Sequence, residues 1–374
     1  MDFVAPETIG LDPDRLARAY AFLDDAVAAD TLPAAALLVA RHGQAVAPHV
    51  CGRQYLTPDS PPIHADTIFL VASITKPVTA TAAMLLVERG KLLLNDRVVD
   101  YLPEFGAHGK QTVRIRHLLT HTSGLPDMLP DDRALRRRHA PLDEFVRRIC
   151  ELELDFEPGT CIQYQSMGLA ILAAIVERIE GVRLPEFLRR ELFAPLEMPD
   201  TGLGAAGLDA SRIAHVRVPQ EMADADWGWN QPYWWNFGAP WGGLFTTVRD
   251  LARLLQMMLN QGALEGARVL SPAGAAEMVR NQTEAMATLS PEARYQQAWG
   301  LGWGLAWRRQ WGSGWSYFGD LVAPETFGHS GATGAMAWAD PTRDLICVLL
   351  TTEPAVNIPG LHGRCSNLVA AAAV

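Results

Sequence analysis

Ser73 and Lys76 stand three residues apart in Phe69-Leu70-Val71-Ala72-Ser73-Ile74-Thr75-Lys76-Pro77. On a helical first turn that spacing places both side chains on one face. A hydroxyl beside an amine is the start of serine acyl-transfer chemistry, in which the oxygen attacks a carbonyl and something must take its proton. A lysine that is charged at neutral pH takes none. Either burial and neighbouring charge depress its pKa, or a second base does the work while the lysine stays cationic. Tyr164, in Thr160-Cys161-Ile162-Gln163-Tyr164-Gln165-Ser166, is the candidate second base. Bringing a phenol from about 10 to about 7 costs about 4 kcal/mol. One ammonium at about 4 Å, in an effective dielectric near 20, supplies roughly that amount.

The surrounding pattern indicates what must hold these groups. Residues 12–29 open with Asp12 and Pro13 and repeat Leu16, Tyr20, Leu23 and Val27 at helical spacing, which predicts an amphipathic helix. Residues 34–40 and 44–50, separated by Arg41-His42-Gly43, predict a β-hairpin. Residues 77–89 are apolar nearly all round and stop at Gly90, the mark of a buried helix. Segments 142–152, 166–180 and 184–193 also carry helical periodicity, with Pro158-Gly159 marking a turn. All eleven tryptophans follow residue 226. Trp299, Trp303, Trp307, Trp311 and Trp315 recur every four residues, but Gly300, Gly302 and Gly304 would each cost a helix about 1 kcal/mol. Period two fits 299–307 better and puts Trp299, Leu301, Trp303, Leu305 and Trp307 on one strand face, with small residues opposite, open to a helix. Residues 333–339 and 344–351 predict strands around Asp340-Pro341, and 360–373 a closing helix.

Early strands, a helical middle and late strands predict an α/β (α+β) fold with one antiparallel sheet built from both chain ends and flanked by the terminal helices. The expected division is 1–75 with 236–374 for the sheet part and 76–235 for the helical insertion, with the active site in the cleft between them.

Composition narrows the partners. The 374 residues are 49% hydrophobic and 20% charged, enough for a sizeable core. A net charge of −10 and a pI near 5.5 argue against nucleic acid or an anionic membrane surface as partner. No apolar run is long enough to span a membrane, and Met1 to Gly10 carry no leader pattern, so the expected location is cytoplasmic. The five cysteines are scattered and predict buried free thiols. His117 and His121, at i and i+4, lack an acidic or third partner and predict a structural pair rather than a metal site. No cofactor and no metal are expected, and the partner is a small-molecule acyl substrate.

The motifs together resemble the serine β-lactamase-like superfamily, nearest its class C β-lactamase, D,D-peptidase and family VIII carboxylesterase branch. The resemblance rests on Ser73-x-x-Lys76, His117-Leu118-Leu119-Thr120-His121-Thr122-Ser123-Gly124-Leu125, and Phe156-Glu157-Pro158-Gly159-Thr160 leading to Tyr164-x-Ser166. Gly242-Gly243-Leu244-Phe245-Thr246-Thr247-Val248-Arg249-Asp250, Trp299-Gly300-Leu301-Gly302-Trp303 and Gly328-His329-Ser330-Gly331 follow in the family's order. It implies Ser73 as nucleophile, Lys76 as its partner and Tyr164 as general base. The implied oxyanion hole is the backbone N–H groups of Ser73 and Ala332, the latter on the strand of His329, Ser330 and Gly331; such donors contribute about 3–4 kcal/mol each. Two departures matter. His329 stands where the lactamases and peptidases usually have a substrate-carboxylate-binding lysine, and a histidine is mostly neutral at pH 7. Ser166 replaces the usual asparagine amide. Both favour uncharged substrates, and esterases of this superfamily often show His-x-Gly.

The expected activity is therefore a carboxylesterase for small to medium uncharged acyl esters, with acyl transfer to another acceptor as a variant. A D-amino acid amidase or peptidase, or a weak β-lactamase, is the alternative. A non-catalytic binding protein on the same fold is the alternative of another class. The segment His117–Leu125 is expected to shape packing, and Gly242-Gly243 to allow close backbone approach beside the site. The aromatic run 227–241 fits a core cluster or a pocket wall equally, with Trp235, Asn236 and Trp241 as substrate-contact candidates.

Overall fold

The computed structural model describes residues 1–219, 222, 225–296, 298–307 and 317–374. Strands β1 (Ala34–Arg41), β2 (Gln44–Ala45) and β3 (His49–Gly52) come from the early chain. Strands β4 (Ala298–Trp299), β5 (Gly304–Leu305), β6 (Phe327–Ser330), β7 (Met336–Asp340) and β8 (Leu345–Thr351) come from the late chain. They join in the order β2-β1-β8-β7-β6-β5-β4, with β3 also on β1, and every pair is antiparallel.

Both faces of this sheet are covered. Ala35, Leu37 and Val39 of β1 join Trp338, Cys347 and Leu349 beneath helices α1 (Pro13–Ala28) and α5 (Leu361–Ala372). Ala36, Leu38 and Ala40 point the other way, into a larger core shared with helix α4 (Val248–Leu259) and the helical middle of the chain. Strands buried on both sides read as unbroken apolar runs. Helix α1 starts where Asp12 accepts the Arg15 N–H at 3.0 Å and Pro13 sets the first φ. In the helical middle, α2 (Thr75–Glu88) is buried along most of its length and packs on α3 (Met167–Glu180). Gly181, at φ +70, closes α3 in the left-handed conformation glycine adopts freely. Among the described residues, no helix is long and apolar enough to cross a membrane.

Three expectations change. The strand expected over 299–307 is a tight hairpin, with Trp299 paired to Gly304 and Gly302 turning at φ +79. A Cβ on Gly302 would meet the Ala80 Cβ at 2.5 Å and the Pro77 Cα at 3.3 Å. The small face does receive a helix, α2, but at the turn itself; Trp311 and Trp315 lie outside the described residues. The strand expected from 333 starts at Met336 because Gly331 to Gly334 form a turn, with the Gly331 N–H donating to Ala335 O at 2.7 Å. Ala332 thus follows the strand rather than lying on it. Of the five cysteines, all free, Cys150, Cys347 and Cys365 are buried, Cys51 is half-buried, and Cys161 is exposed.

The β7–β8 turn is pinned by Asp340, whose fully buried carboxylate accepts from the N–H groups of Ala323, Thr342 and Arg343 and from Arg343 Nη1 at 2.6 Å. Removing it leaves those donors unmatched. Asp340→Ala is expected to cost about 3 kcal/mol, read as a lower denaturation midpoint in urea. An unchanged midpoint would show that the turn does not rely on this carboxylate.

Candidate active site

Ser73 sits at the end of a short ladder. Phe69–Leu70 pairs with Leu244–Thr246, and the Val71 N–H donates to Leu244 O at 3.0 Å. The chain then turns through Ala72–Ile74 into α2. Ala72 holds φ +44, a left-handed conformation that costs a side-chain-bearing residue energy and persists only when neighbours enforce it. Thr75 supplies the lock. Its Oγ1 donates to Ala72 O at 2.6 Å and accepts the Leu244 N–H at 2.9 Å. The segment after β6 closes from the other side. Thr333 Oγ1 donates to Leu70 O at 2.7 Å, and a Cβ on Gly331 would stand 2.2 Å from Val71 O. Only glycine lets these two backbones meet.

The structure brings Ser73, Lys76 and Tyr164 together. Lys76 is wholly buried; its Nζ donates to Ser73 Oγ at 2.9 Å and to Trp241 O at 3.2 Å, and stands 4.5 Å from the centre of the Tyr164 ring. The Tyr164 hydroxyl lies near enough to the Ser73 side chain for the two to interact. Burial lowers the Lys76 pKa to about 7 against a smaller opposing pull from Asp127, so the neutral amine is accessible near pH 7. Burial also drives the Tyr164 phenol well above its ordinary value, with the nearby Ser73 hydroxyl working the other way. The electrostatics therefore run opposite to the ammonium-lowers-phenol scheme. Burial favours the uncharged form of both groups, and lysine is the one that reaches it as a base.

Two imidazoles join this cluster. His121 lies past the end of helix Ile115–Leu119 at φ +59, so it forms no helical pair with His117. Its ring is 4.7 Å from Tyr164 and 4.2 Å from Trp299, centre to centre. Its Nδ1 accepts the Gln165 N–H at 3.1 Å, which leaves the proton on Nε2. His329, 6.0 Å from the Tyr164 ring, donates from Nδ1 to Ser330 O at 2.7 Å. Burial first, then the Lys76 charge, pushes the His329 pKa down to about 3 and that of His121 well below its usual range. Both stay neutral at pH 7.

Ser166, two residues beyond Tyr164, donates from Oγ to Asp127 Oδ1 at 2.6 Å. Of the aromatic candidates, Trp241 reaches the cluster through its carbonyl, while its indole packs on Phe145 and Phe237. Trp235 donates to Trp229 O and meets Phe245 and His215. Asn236 is exposed and donates to Pro232 O at 2.7 Å within its own short helix. The described contacts of these two side chains do not include Ser73, Lys76 or Tyr164. Sequence reasoning missed His121, Trp299 and Asp127 as neighbours of the cluster; the first two stood in motifs already singled out, whereas Asp127 stood in none. Metal-ligand atoms group within 4.8 Å at Asp24, His49 and Cys51, on α1 and β3, elements that carry none of these residues.

The Beta-lactamase family model matches residues 21–358. The chain is 32% identical over 279 residues to Penicillin-binding protein 4 of Amycolatopsis lactamdurans, covering 73% of this chain and 68% of that protein. It is 38% identical over 224 residues to Esterase EstB of Burkholderia gladioli, covering 54% and 55%. The fold superposes on a penicillin-binding protein homologue from Caulobacter crescentus with a TM-score of 0.78, 25% identity, and coverage of 97% of this chain and 99% of that one.

Gly331→Ala tests the backbone contact that brackets Ser73. The added methyl has no room against Val71 O, so it is expected to slow fluorophosphonate labelling of Ser73 about 100-fold, with the melting temperature lowered by a few degrees at most. Labelling at the native rate would mean that the approach of the segment after β6 does not position the serine.

Proposed function

The chain belongs to the Beta-lactamase family, a family of serine hydrolases, and from that premise we propose that it is a carboxylesterase. It forms an acyl-enzyme on Ser73 from small to medium esters that carry no carboxylate near the reacting bond. The observation that carries this reading is the fully buried Lys76 amine, 2.9 Å from Ser73 Oγ.

A neutral amine has two N–H groups and one lone pair. With Trp241 O holding one N–H, rotation turns the lone pair toward Ser73. The serine oxygen attacks the acyl carbon as its proton passes to Lys76 Nζ. The carbon–alkoxide bond breaks, and the proton leaves with the departing alcohol, delivered through the Tyr164 hydroxyl. Water then attacks the acyl-enzyme, gives its proton to the same pair, and releases the acid and free Ser73. Tyr164 acts as a relay and hydrogen-bond donor, and Lys76 as the base. The N–H groups of Ser73 and Ala332 receive the developing oxyanion, a role that two preorganised backbone donors fill well. An alcohol in place of water gives acyl transfer by the same steps.

Substrate class follows from what surrounds the serine. His329, neutral at pH 7, leaves a substrate carboxylate without a lysine to meet it. Ser166 points its hydroxyl at Asp127 rather than offering an amide. The likeness to Esterase EstB supports the ester reading. The likeness to Penicillin-binding protein 4 supports the second one, a peptidase or amidase acting on D-amino acid compounds.

Nitrophenyl esters of increasing acyl length, a chromogenic cephalosporin and a D-amino acid amide, each run with Ser73→Ala, separate these readings. Ester turnover is expected to lead and to fall at least about 1000-fold in the variant. Cephalosporin or amide turnover above that of the esters would replace the carboxylesterase reading. Ester turnover that survives Ser73→Ala would remove the acyl-enzyme altogether.

A further inference from the structure

Asp127 follows Leu125-Pro126 on a loop beside the cluster, and its side chain is exposed. Two bonds tie it to the segment that carries Tyr164. Ser166 Oγ donates to Asp127 Oδ1 at 2.6 Å, and the Ser166 N–H donates to Asp127 O at 3.2 Å. The loop is therefore held in place while the residue itself stays exposed. Among the described residues, no arginine, lysine or histidine forms an ion pair with Asp127. A carboxylate fixed beside an acyl-transfer cluster, with no ion-pair partner among the described residues, attracts cations and turns anions away.

We propose that Asp127 is a specificity-determining residue that selects substrates whose acyl group carries a positive charge, such as an alkylammonium. This inference rests on the reading of Ser73 as the acylated residue and extends it from esters lacking a carboxylate to esters bearing a cation. Ser166, two residues beyond Tyr164, is the positioning residue: its hydroxyl holds the Asp127 carboxylate and its N–H the Asp127 backbone carbonyl.

The charge also couples binding to the base. Asp127 is the charge whose field bears on both Lys76 and Tyr164, raising the pKa of each. The other titratable groups against Lys76 are Tyr164, His121 and His329, all held uncharged at neutral pH. A substrate cation that neutralises Asp127 withdraws that pull, so Lys76 sheds its proton at a lower pH than it does with a neutral substrate. Selectivity and activation then come from one contact.

The test uses three nitrophenyl esters of matched shape: a trimethylammonio-alkanoyl ester, which does not titrate, its neutral tert-butyl isostere, and an ω-carboxylate analogue. At low salt, kcat/KM is expected to favour the cation over the neutral ester by about 1.5-fold to fivefold, the range of an exposed ion pair, and to be lowest for the anion. Added salt shrinks the preference. Asp127→Asn, which keeps an acceptor for Ser166, is expected to bring the cation-to-neutral ratio to about 1, and Asp127→Glu to restore part of it. The acid limb of kcat is expected at lower pH for the cationic ester than for the neutral one, and to coincide for the two in Asp127→Asn.

A cation preference that survives Asp127→Asn, or none in the native protein, overturns the proposal. If no ester turns over, the same cation-to-neutral comparison is made on the rate at which paired fluorophosphonates label Ser73. Labelling without charge preference ends this inference alone. A serine labelled by neither reagent ends the acyl-enzyme reading as well.

Discussion

Lys76 Nζ is held out of water with a hydroxyl, a carbonyl and the face of a phenol for neighbours. An ammonium there forgoes its hydration and gains little in return, because among the described residues the charge that favours it is the exposed Asp127 carboxylate. Moving the amine from its ordinary 10.5 to about 7 is a difference of about 5 kcal/mol between its charged and neutral forms. The fold supplies that difference when it buries α2, and the site obtains a base usable near neutral pH. The same burial raises Tyr164 and lowers His121 and His329. One physical cause therefore sets four protonation states, all toward the uncharged form.

The rest of the architecture keeps this arrangement from relaxing. Ala72 stays at φ +44 because Thr75 bonds both its carbonyl and the neighbouring Leu244 N–H. Thr333 bonds the Leu70 carbonyl, and Gly331 lets the end of β6 lie against Val71. The Gly302 turn seats on the first turns of α2 beneath Lys76. Strands from early and late chain, a turn from residues 300–303 and a loop from residues 241–244 thus all converge on one helical turn. That convergence explains why the motifs are spread along the sequence.

Much of this was legible beforehand. The Ser73–Lys76 spacing, the Tyr164-x-Ser166 run and the six motifs in order indicated the family and the meeting of three side chains. Helices α1, α2, α3 and α5 followed from caps, glycine stops and apolar period. What stayed hidden depends on backbone conformation or on contacts between distant segments. No periodicity announces that His121 leaves its helix at a positive φ and lands on Tyr164. Gly302 reads as a small residue in a strand until α2 is present to require a turn there. The direction of the Tyr164 pKa depended on whether Lys76 is charged, which only its burial decides. Asp127 stood in no motif, and its role comes from a partner 39 residues away, Ser166.

The chemistry at Ser73 turns on whether Lys76 is neutral in the resting protein. The chain has only three lysines, Lys76, Lys91 and Lys110, so NMR of protein labelled with 13C at the lysine side chains can follow each one, with Lys76→Arg giving the assignment. A Lys76 midpoint near pH 7 is the result expected. A midpoint near the ordinary lysine value of about 10.4 would mean that the amine is charged throughout the working range, and the base would have to be sought elsewhere.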